Sequence, residues 1–342
     1  MKTTLVTGGA GFIGSHFVEK LFDETDDEIL VLDVFTYAAS PENIRFDIRE
    51  SNRFELVKGD VCDEKLVMDL VGRSNRVVHF AAESHVARSL FADRRFFETD
   101  VLGTHSVASA VSHNREKIEK FVHISTSEVY GSAAYEPMDE VHPLAPCTPY
   151  AAAKAGADRL VHAYLETYKI PAVIIRPFNN YGPRQHIEKV VPRFITQALL
   201  NEPLTVHGTG RSSRDWIYVG DTCEGIMKAL IRPNAVGQVF NLGTGIDIPV
   251  KEVAVLVKSI VGEESSSTLK YVTERPGQVQ RHIADVRRAR SVLGFASTVS
   301  FWDGLRNTVE WYKANRSWWE ALLLEREIGA TDGGTRLVSG AW

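Results

Sequence analysis

Cysteine is scarce in this chain of 342 residues: Cys62, Cys147 and Cys223 are the only three, widely separated and odd in number. That count and spacing exclude a disulfide framework and a zinc site, and they fit free thiols in a reducing compartment. Long apolar runs are also missing, and no stretch approaches the roughly 20 residues of a membrane span. Positive charge is not in excess. Lys and Arg total 39 against 44 Asp and Glu, a net charge of −5. That balance argues against a general nucleic-acid or membrane-surface partner. Internal repeats and low-complexity tracts are absent. Met1 leads directly into a strand-like segment, so no signal peptide is expected and the expected location is cytoplasmic. The rest is ordinary for a globular protein, 44% hydrophobic and 24% charged, with length for one large domain or two smaller ones.

Short apolar, β-branched runs at residues 3–7, 28–33, 54–58, 76–80, 120–125 and 172–176 are interleaved with helix-like segments such as 14–22, 91–113 and 150–168. Continuous apolar stretches mark strands buried on both faces. Alternating strands and helices predict an α/β fold, a Rossmann-type doubly wound parallel sheet. The rhythm loosens after Pro177. Residues 179–214 carry Pro183, Pro192 and Pro203 with glycines and basic side chains, and are expected to close over a ligand rather than extend the sheet. Runs at 216–219 and 239–242 are expected to return to the sheet, and a small helix-rich region with one strand near 269–272 follows. The domain reading is therefore a cofactor-binding unit over 1–178, with returns near 216–245. A smaller substrate-binding region covers 179–215 and 246–330. Residues 331–342 are expected to form a mobile tail.

The opening segment "TLVTGGAGFIGSHFVEKLF" is a strand, then Gly8-x-x-Gly11-x-x-Gly14, then a helix. Such glycines let the backbone turn tightly and approach a pyrophosphate at the helix N-terminus. The candidates are Gly8, Gly11, Phe12, Ile13 and Gly14. Asp33 closes the run "EILVLD", 19 residues beyond Gly14, where it can accept hydrogen bonds from a ribose diol. An acid there selects NAD over NADP, because it repels a 2′-phosphate. Asp60 and Val61, in "GDV" after the third run, are placed to flank the adenine.

"PYAAAK" (149–154) begins a strong helix, with proline at its start and alanines behind it. Tyr150 and Lys154 are four apart and share a face. A nearby ammonium, together with a positive nicotinamide, should lower the tyrosine pKa and make it a base toward a sugar hydroxyl. "STSEVYGS" (125–132) follows an apolar run at a strand end. It reads either as turn chemistry or as a place where Glu128 meets a substrate.

The segments "TGGAGFIG", "AAESHVARS", "STSEVYG", "PYAAAK", "NNYGPRQHIEKVVPRFI", "RDWIYVGD" and "ERPGQVQRHIAD" occur in order. As a set they resemble the extended short-chain dehydrogenase/reductases that act on nucleotide sugars. The nearest pattern is that of the nucleoside-diphosphate-hexose 4,6-dehydratases, above all the dTDP-glucose type. The resemblance extends to about residue 315 and implies a tightly held NAD, reduced and reoxidised within one turnover. It implies that Tyr150 deprotonates the C4 hydroxyl, Lys154 holds the nicotinamide ribose, and Thr126 hydrogen-bonds the same sugar oxygen. Glu128 matches the base that removes the C5 proton, while Ser127 stands where the dTDP-glucose enzymes have an Asp that protonates the leaving C6 hydroxyl.

By the same resemblance Ala82, Ser84 and Thr99 belong to the cofactor site. Ser84, Asn180, Lys189, Val190, Leu204, Val206, Arg214, Asn241 and Arg275 belong to the nucleotide-sugar site. Gln278 replaces a His common in the dTDP-glucose enzymes, and with "GTGRSS" (208–213) it leaves the base open; Ala87 stands where those enzymes tend to have an Asp. Thr-Ser-Glu also resembles the GDP-mannose 4,6-dehydratases, where loss of the Asp does not prevent dehydration, and the UDP-glucuronate decarboxylases. A 4-epimerase uses the same C4 oxidation but does not need Glu128. Dehydration therefore leads, epimerisation is the alternative and decarboxylation ranks third. A non-enzymatic nucleotide sensor is the competing class, and such proteins typically lose the tyrosine–lysine pair. No metal is expected, since neither His85 nor His186 has a second ligand at metal spacing. The resemblance also implies a homodimer through the helices near 91–113 and 150–168.

Overall fold

In chain order the strands are β1 (Thr3–Thr7), β2 (Glu28–Asp33), β3 (Phe54–Lys58), β4 (Arg76–His79), β5 (Lys120–Ile124), β6 (Ala172–Pro177), β7 (Asn179–Tyr181), β8 (Leu204–His207), β9 (Ser213–Tyr218), β10 (Val239–Leu242), β11 (Asp247–Pro249) and β12 (Leu269–Val272). They come from a computed structural model that describes residues 1–262, 265–274 and 276–329. Seven strands form one sheet in the order β10-β6-β5-β4-β1-β2-β3, and every pairing in it is parallel. The apolar runs are continuous because both faces are covered. Phe17, Val18, Ile226 and Leu230, from the helices Phe12–Glu24 and Val219–Ile231, pack in the core of one face. Val67, Leu70, Val107, Val111 and Val161, from the helices Glu64–Arg73, Thr104–His113 and Pro149–Tyr168, pack in the core of the other. β2 and β3 lie on one side of β1 and β4 on the other. This reversal opens a crevice beyond the C-terminal strand ends, where ligands bind in such sheets.

The run at 239–242 returns to the sheet as β10, beside β6. The run at 216–219 does not return. It is part of β9, which lies between β7 and β11 in a separate three-stranded sheet. Two facts account for this. Pro177 ends β6, because proline has no N–H for the ladder, and β10 already occupies the outer edge of β6. The chain leaves the sheet as β7, and β9 pairs with it. β8 and β12 pair in parallel, and Tyr181, Phe194, Leu204, Val206, Val257, Tyr312 and Trp319 form a further core around them. That core joins the helices Val190–Leu199, Val250–Val261, Phe301–Ala314 and Arg316–Gly329. The tail expected over 331–342 lies outside the described residues.

The segment 91–113 is not one regular helix. A short turn at Asp93–Phe96 runs into a π-helical stretch, Phe97–Gly103, before Thr104–His113. The helix Pro149–Tyr168 starts where the sequence places it. The Thr148 hydroxyl accepts the Ala151 N–H, proline occupies the first turn, and Lys169 at φ 54° ends it.

Arg176 of β6 fixes that helix to the sheet. Its Nε donates to Asp158 Oδ2 at 2.8 Å and its Nη2 to Asp158 Oδ1 at 2.9 Å. Its Nη1 donates to the Tyr130 hydroxyl and the Glu140 carbonyl, and Ser125 Oγ donates to Asp158 at 2.7 Å. Arg176 is 1% exposed and Asp158 fully buried. Burial pushes the Asp158 carboxyl up, but the hydrogen bonds and charge of Arg176, with Arg159, outweigh it and hold the group well below the usual range. Asp158→Ala leaves Arg176 buried without its anion and should destabilise the fold by about 3–5 kcal/mol, read as a lower midpoint of urea unfolding. Because the native pKa is depressed, this stabilisation is present above the free carboxylate pKa of about 4 and fades as pH falls below it. The gap between wild type and variant should narrow in acid.

Candidate active site

A cleft of about 1940 Å³ runs along the C-terminal ends of the sheet strands and beneath the segment 177–193. At one end the chain folds tightly on itself. Gly8 has φ +68°, and a Cβ there would lie 2.6 Å from the Ala81 nitrogen; one on Gly14 would lie 2.2 Å from the Gly8 oxygen. Gly11 is the N-cap of the helix Phe12–Glu24 and offers no side chain to it. The first N–H groups of a helix have no partner within it. Those of Phe12 and Ile13 belong to residues that line the cleft with Gly8, Gly11 and Gly14. An uncapped helix start with no side chain over it is a cradle for an anion.

Asp33 lines the same end. Its carboxylate is held by the N–H groups of Ala10 at 3.0 Å and Phe35 at 2.9 Å. Burial pushes its pKa up and these backbone donors resist. Asp60, Val61, Ala82, Ser84 and Thr99 complete this part of the lining. A close-approach loop, an anion cradle and a fixed acceptor together fit a dinucleotide.

Beyond β5, the Ser125 bond to Asp158 sets the exit direction of the chain. Thr126 caps the helical turn Ser127–Tyr130, its hydroxyl accepting the Glu128 N–H at 3.2 Å. Thr126, Ser127 and Glu128 line the cleft together with Tyr150 and Lys154, and Thr126 acts on the Tyr150 phenol to lower its pKa. The five residues singled out for chemistry thus stand around one space.

Burial raises the Tyr150 pKa well above its ordinary value, Asp100 and Glu128 raise it further, and Thr126 opposes them. The Lys154 ammonium donates to the Ile124 carbonyl at 2.7 Å. Burial lowers the Lys154 pKa, and Asp100 and Asp158 push it back. Helical spacing puts the two residues on one face of the helix, and both line the cleft.

Asp100 carries no signal in the sequence beyond its place after Thr99. It sits in the π-helical stretch, 1% exposed. Its Oδ1 accepts the Glu83 N–H at 2.8 Å, and its Oδ2 has no partner among the described residues. Burial pushes its carboxyl up to about 7 against the pull of Lys154.

At the other end Asn180, Lys189, Val190 and Arg214 line the cleft. The Asn180 amide donates to the Phe178 carbonyl, and its oxygen has no partner among the described residues. Asn179 and Gln185, which the sequence did not single out, line the cleft with unpartnered amide oxygens of their own. Leu322 and Leu323 from the last described helix add apolar surface.

The side chains of Leu204 and Val206 are buried in the core, whereas His207 lines the cleft; strand alternation turns the two sets apart, so only the backbone of Leu204 and Val206 could meet the base. Asn241 is fully buried. Its Oδ1 accepts the Tyr130 hydroxyl at 2.7 Å, its Nδ2 donates to Met138 O at 3.0 Å and its N–H donates to Glu140 Oε1 at 3.0 Å. These bonds make it a brace of the sheet. Arg275 lies outside the described residues, while Gln278, from the same segment, lines the cleft.

The family model described as GDP-mannose 4,6 dehydratase matches residues 5–308. A dTDP-glucose 4,6-dehydratase of Actinoplanes sp. is 41% identical over 321 residues, covering 92% of this chain and 99% of the relative. The crystal structure of a dTDP-glucose 4,6-dehydratase from Streptomyces venezuelae, solved with NAD bound, superimposes with a TM-score of 0.88 at 39% identity, over 94% of this chain and 99% of that one. A UDP-N-acetylglucosamine 4-epimerase from Methanobrevibacter ruminantium superimposes with a TM-score of 0.84 at 29% identity, over 92% and 98%. With the glycine-rich crevice, the Thr-Ser-Glu turn and the tyrosine–lysine helix on one cleft, the chain belongs to the GDP-mannose 4,6-dehydratase family of nucleotide-sugar enzymes.

Proposed function

We propose that the chain is an NAD-dependent nucleotide-sugar 4,6-dehydratase working through a 4-keto intermediate. The observation that carries this reading is the presence of Glu128 in the same cleft as Thr126, Tyr150 and Lys154. A second carboxylate chemistry beside the tyrosine is what C5 deprotonation needs, and a 4-epimerase has no use for it.

The dinucleotide is held by the loop Gly8 to Gly14, the N-terminus of the helix Phe12–Glu24 and the acceptor Asp33. When bound, NAD supplies a positive charge that favours the Tyr150 phenolate, and a hydride acceptor that takes the C4 hydrogen and returns it at C6. Tyr150 takes the C4 hydroxyl proton, and Thr126 hydrogen-bonds the same oxygen. The C4 ketone acidifies C5–H, and Glu128 removes that proton. The C6 hydroxyl departs as water and needs a proton. Ser127 is too weak an acid to be its source, but its hydroxyl can relay one from water. Lys189 and Arg214 are assigned to the diphosphate, for which a guanidinium offers two parallel hydrogen bonds, and Asn180 to the sugar.

The same reading carries a cytoplasmic homodimer, formed through the helices Thr104–His113 and Pro149–Tyr168. Phe97, Leu102 and Tyr168 expose apolar surface on and beside these helices, and sedimentation should give twice the chain mass.

Incubation with dTDP-, UDP-, GDP- and CDP-hexoses should yield, for one of them, a product lighter by one water; an isomer of unchanged mass would establish epimerisation instead. Glu128→Gln should slow dehydration roughly a hundredfold or more, and exchange of the C5 hydrogen with deuterated solvent should be lost in parallel. Asp100→Asn removes a charge that raises the Tyr150 pKa, so the rising limb of kcat/KM against pH should move to lower pH. Because Asp100 has a raised native pKa, the stability it contributes is full below the free carboxylate pKa of about 4 and is lost as pH rises through about 7. That loss should be smaller in the Asn variant.

A further inference from the structure

Where the segment after β7 crosses the cleft, one carboxylate gathers groups from three separate loops. Glu188 Oε1 accepts the Tyr37 hydroxyl at 2.6 Å, and Tyr37 follows β2 and the ribose acceptor Asp33. Glu188 Oε2 lies 3.3 Å from Arg88 Nε and 3.7 Å from His85 Nε2, both in the loop after β4. His186 Nδ1 is 3.8 Å from the same oxygen. The contacts around it interlock. The Arg88 guanidinium sits 3.5 Å over the Tyr37 ring, and the His186 ring meets the other aromatic edge-on at 5.0 Å. The next residue, Lys189, donates to the Ser84 carbonyl. The Glu188 side chain is only 12% exposed, so this is a partly buried cluster rather than a surface ion pair.

Two features separate this cluster from the packing of the fold. All of its members line the cleft. The same segment also has an independent anchor outside the cleft, where Arg184 pairs with Glu19 and His16 meets the Pro183 carbonyl at 3.0 Å. The fold therefore does not need Glu188 to hold the segment in place. What Glu188 does is tie it across the opening, to the two loops that flank the dinucleotide crevice.

We propose that Glu188 is a positioning residue that clasps the cleft shut over the dinucleotide and slows its release between turnovers. This rests on the cofactor reading above. A cofactor that is reduced and reoxidised in one turnover has no reason to leave, and a cover that must break a partly buried carboxylate cluster to open makes departure slow. Loss of one partner in such a cluster acts mainly on dissociation.

The test uses full-length protein loaded with isotopically labelled NAD and chased with unlabelled NAD, the retained label being read by mass spectrometry after rapid desalting. Glu188→Ala and Tyr37→Phe should each speed release, on the order of tenfold to a hundredfold for Glu188→Ala. Glu188→Gln, whose amide oxygen can still accept the Tyr37 hydroxyl, should fall between it and wild type. Arg184→Ala, which breaks the anchor outside the cleft, should release label at the wild-type rate. Release from both Glu188→Gln and Tyr37→Phe at the wild-type rate overturns the clasp even if Glu188→Ala does not fold. Faster release from Arg184→Ala equal to that from Glu188→Gln also overturns it, by showing a general loosening. A wild-type chain that binds no labelled NAD overturns the cofactor reading itself, and the clasp with it.

Discussion

A buried carboxylate and a buried guanidinium, Asp158 and Arg176, hold the reaction centre together. Asp158 also takes the Ser125 hydroxyl, and Arg176 also donates to Tyr130. Those two residues bracket Thr126, Ser127 and Glu128. The strand that delivers the turn, the strand beside it and the helix that carries Tyr150 and Lys154 are thereby fixed in one frame. A buried ion pair gives little net stability over an apolar replacement. Its geometry is what counts here, because a fork of two parallel hydrogen bonds fixes direction as well as distance. Catalysis by a positioned base tolerates little misplacement, and these bonds set where the base stands.

Around that frame the charge is mostly negative. Asp100 and Glu128 both oppose ionisation of Tyr150, and burial adds to them, so the side chain is held as the neutral phenol. A positive charge brought beside it would favour the phenolate.

Much of this was legible in the sequence where the physical demand is local. A strand buried on both faces needs an unbroken apolar run, and a backbone that closes on itself needs Gly8 and Gly14, whose side-chain hydrogens are all there is room for. The Tyr150–Lys154 spacing and the Thr-Ser-Glu turn were legible for the same reason. What failed was set by partners far along the chain. The run at 216–219 looks like any other sheet strand, but its neighbour is chosen by where Pro177 ends β6 and by β10 taking the open edge. Leu204, Val206 and Asn241 belong to segments that border the cleft, and only the pleat and a buried network show that their side chains are buried. Asp100 looks like a surface acid in a helix; a π-helical stretch buries it. Glu188 is one acid in a polar loop until Tyr37, His85 and Arg88 are placed around it.

Leu322 and Leu323 line the cleft from the last described helix, while Gly8 lines it from the first loop. During synthesis these parts emerge from the ribosome far apart in time. The dinucleotide crevice needs only strands made before residue 180, and its sheet is complete once β10 has followed. The substrate end has no finished wall until the helix Arg316–Gly329 has left the exit tunnel. The wall on the substrate side is therefore the last part of the cleft that synthesis delivers.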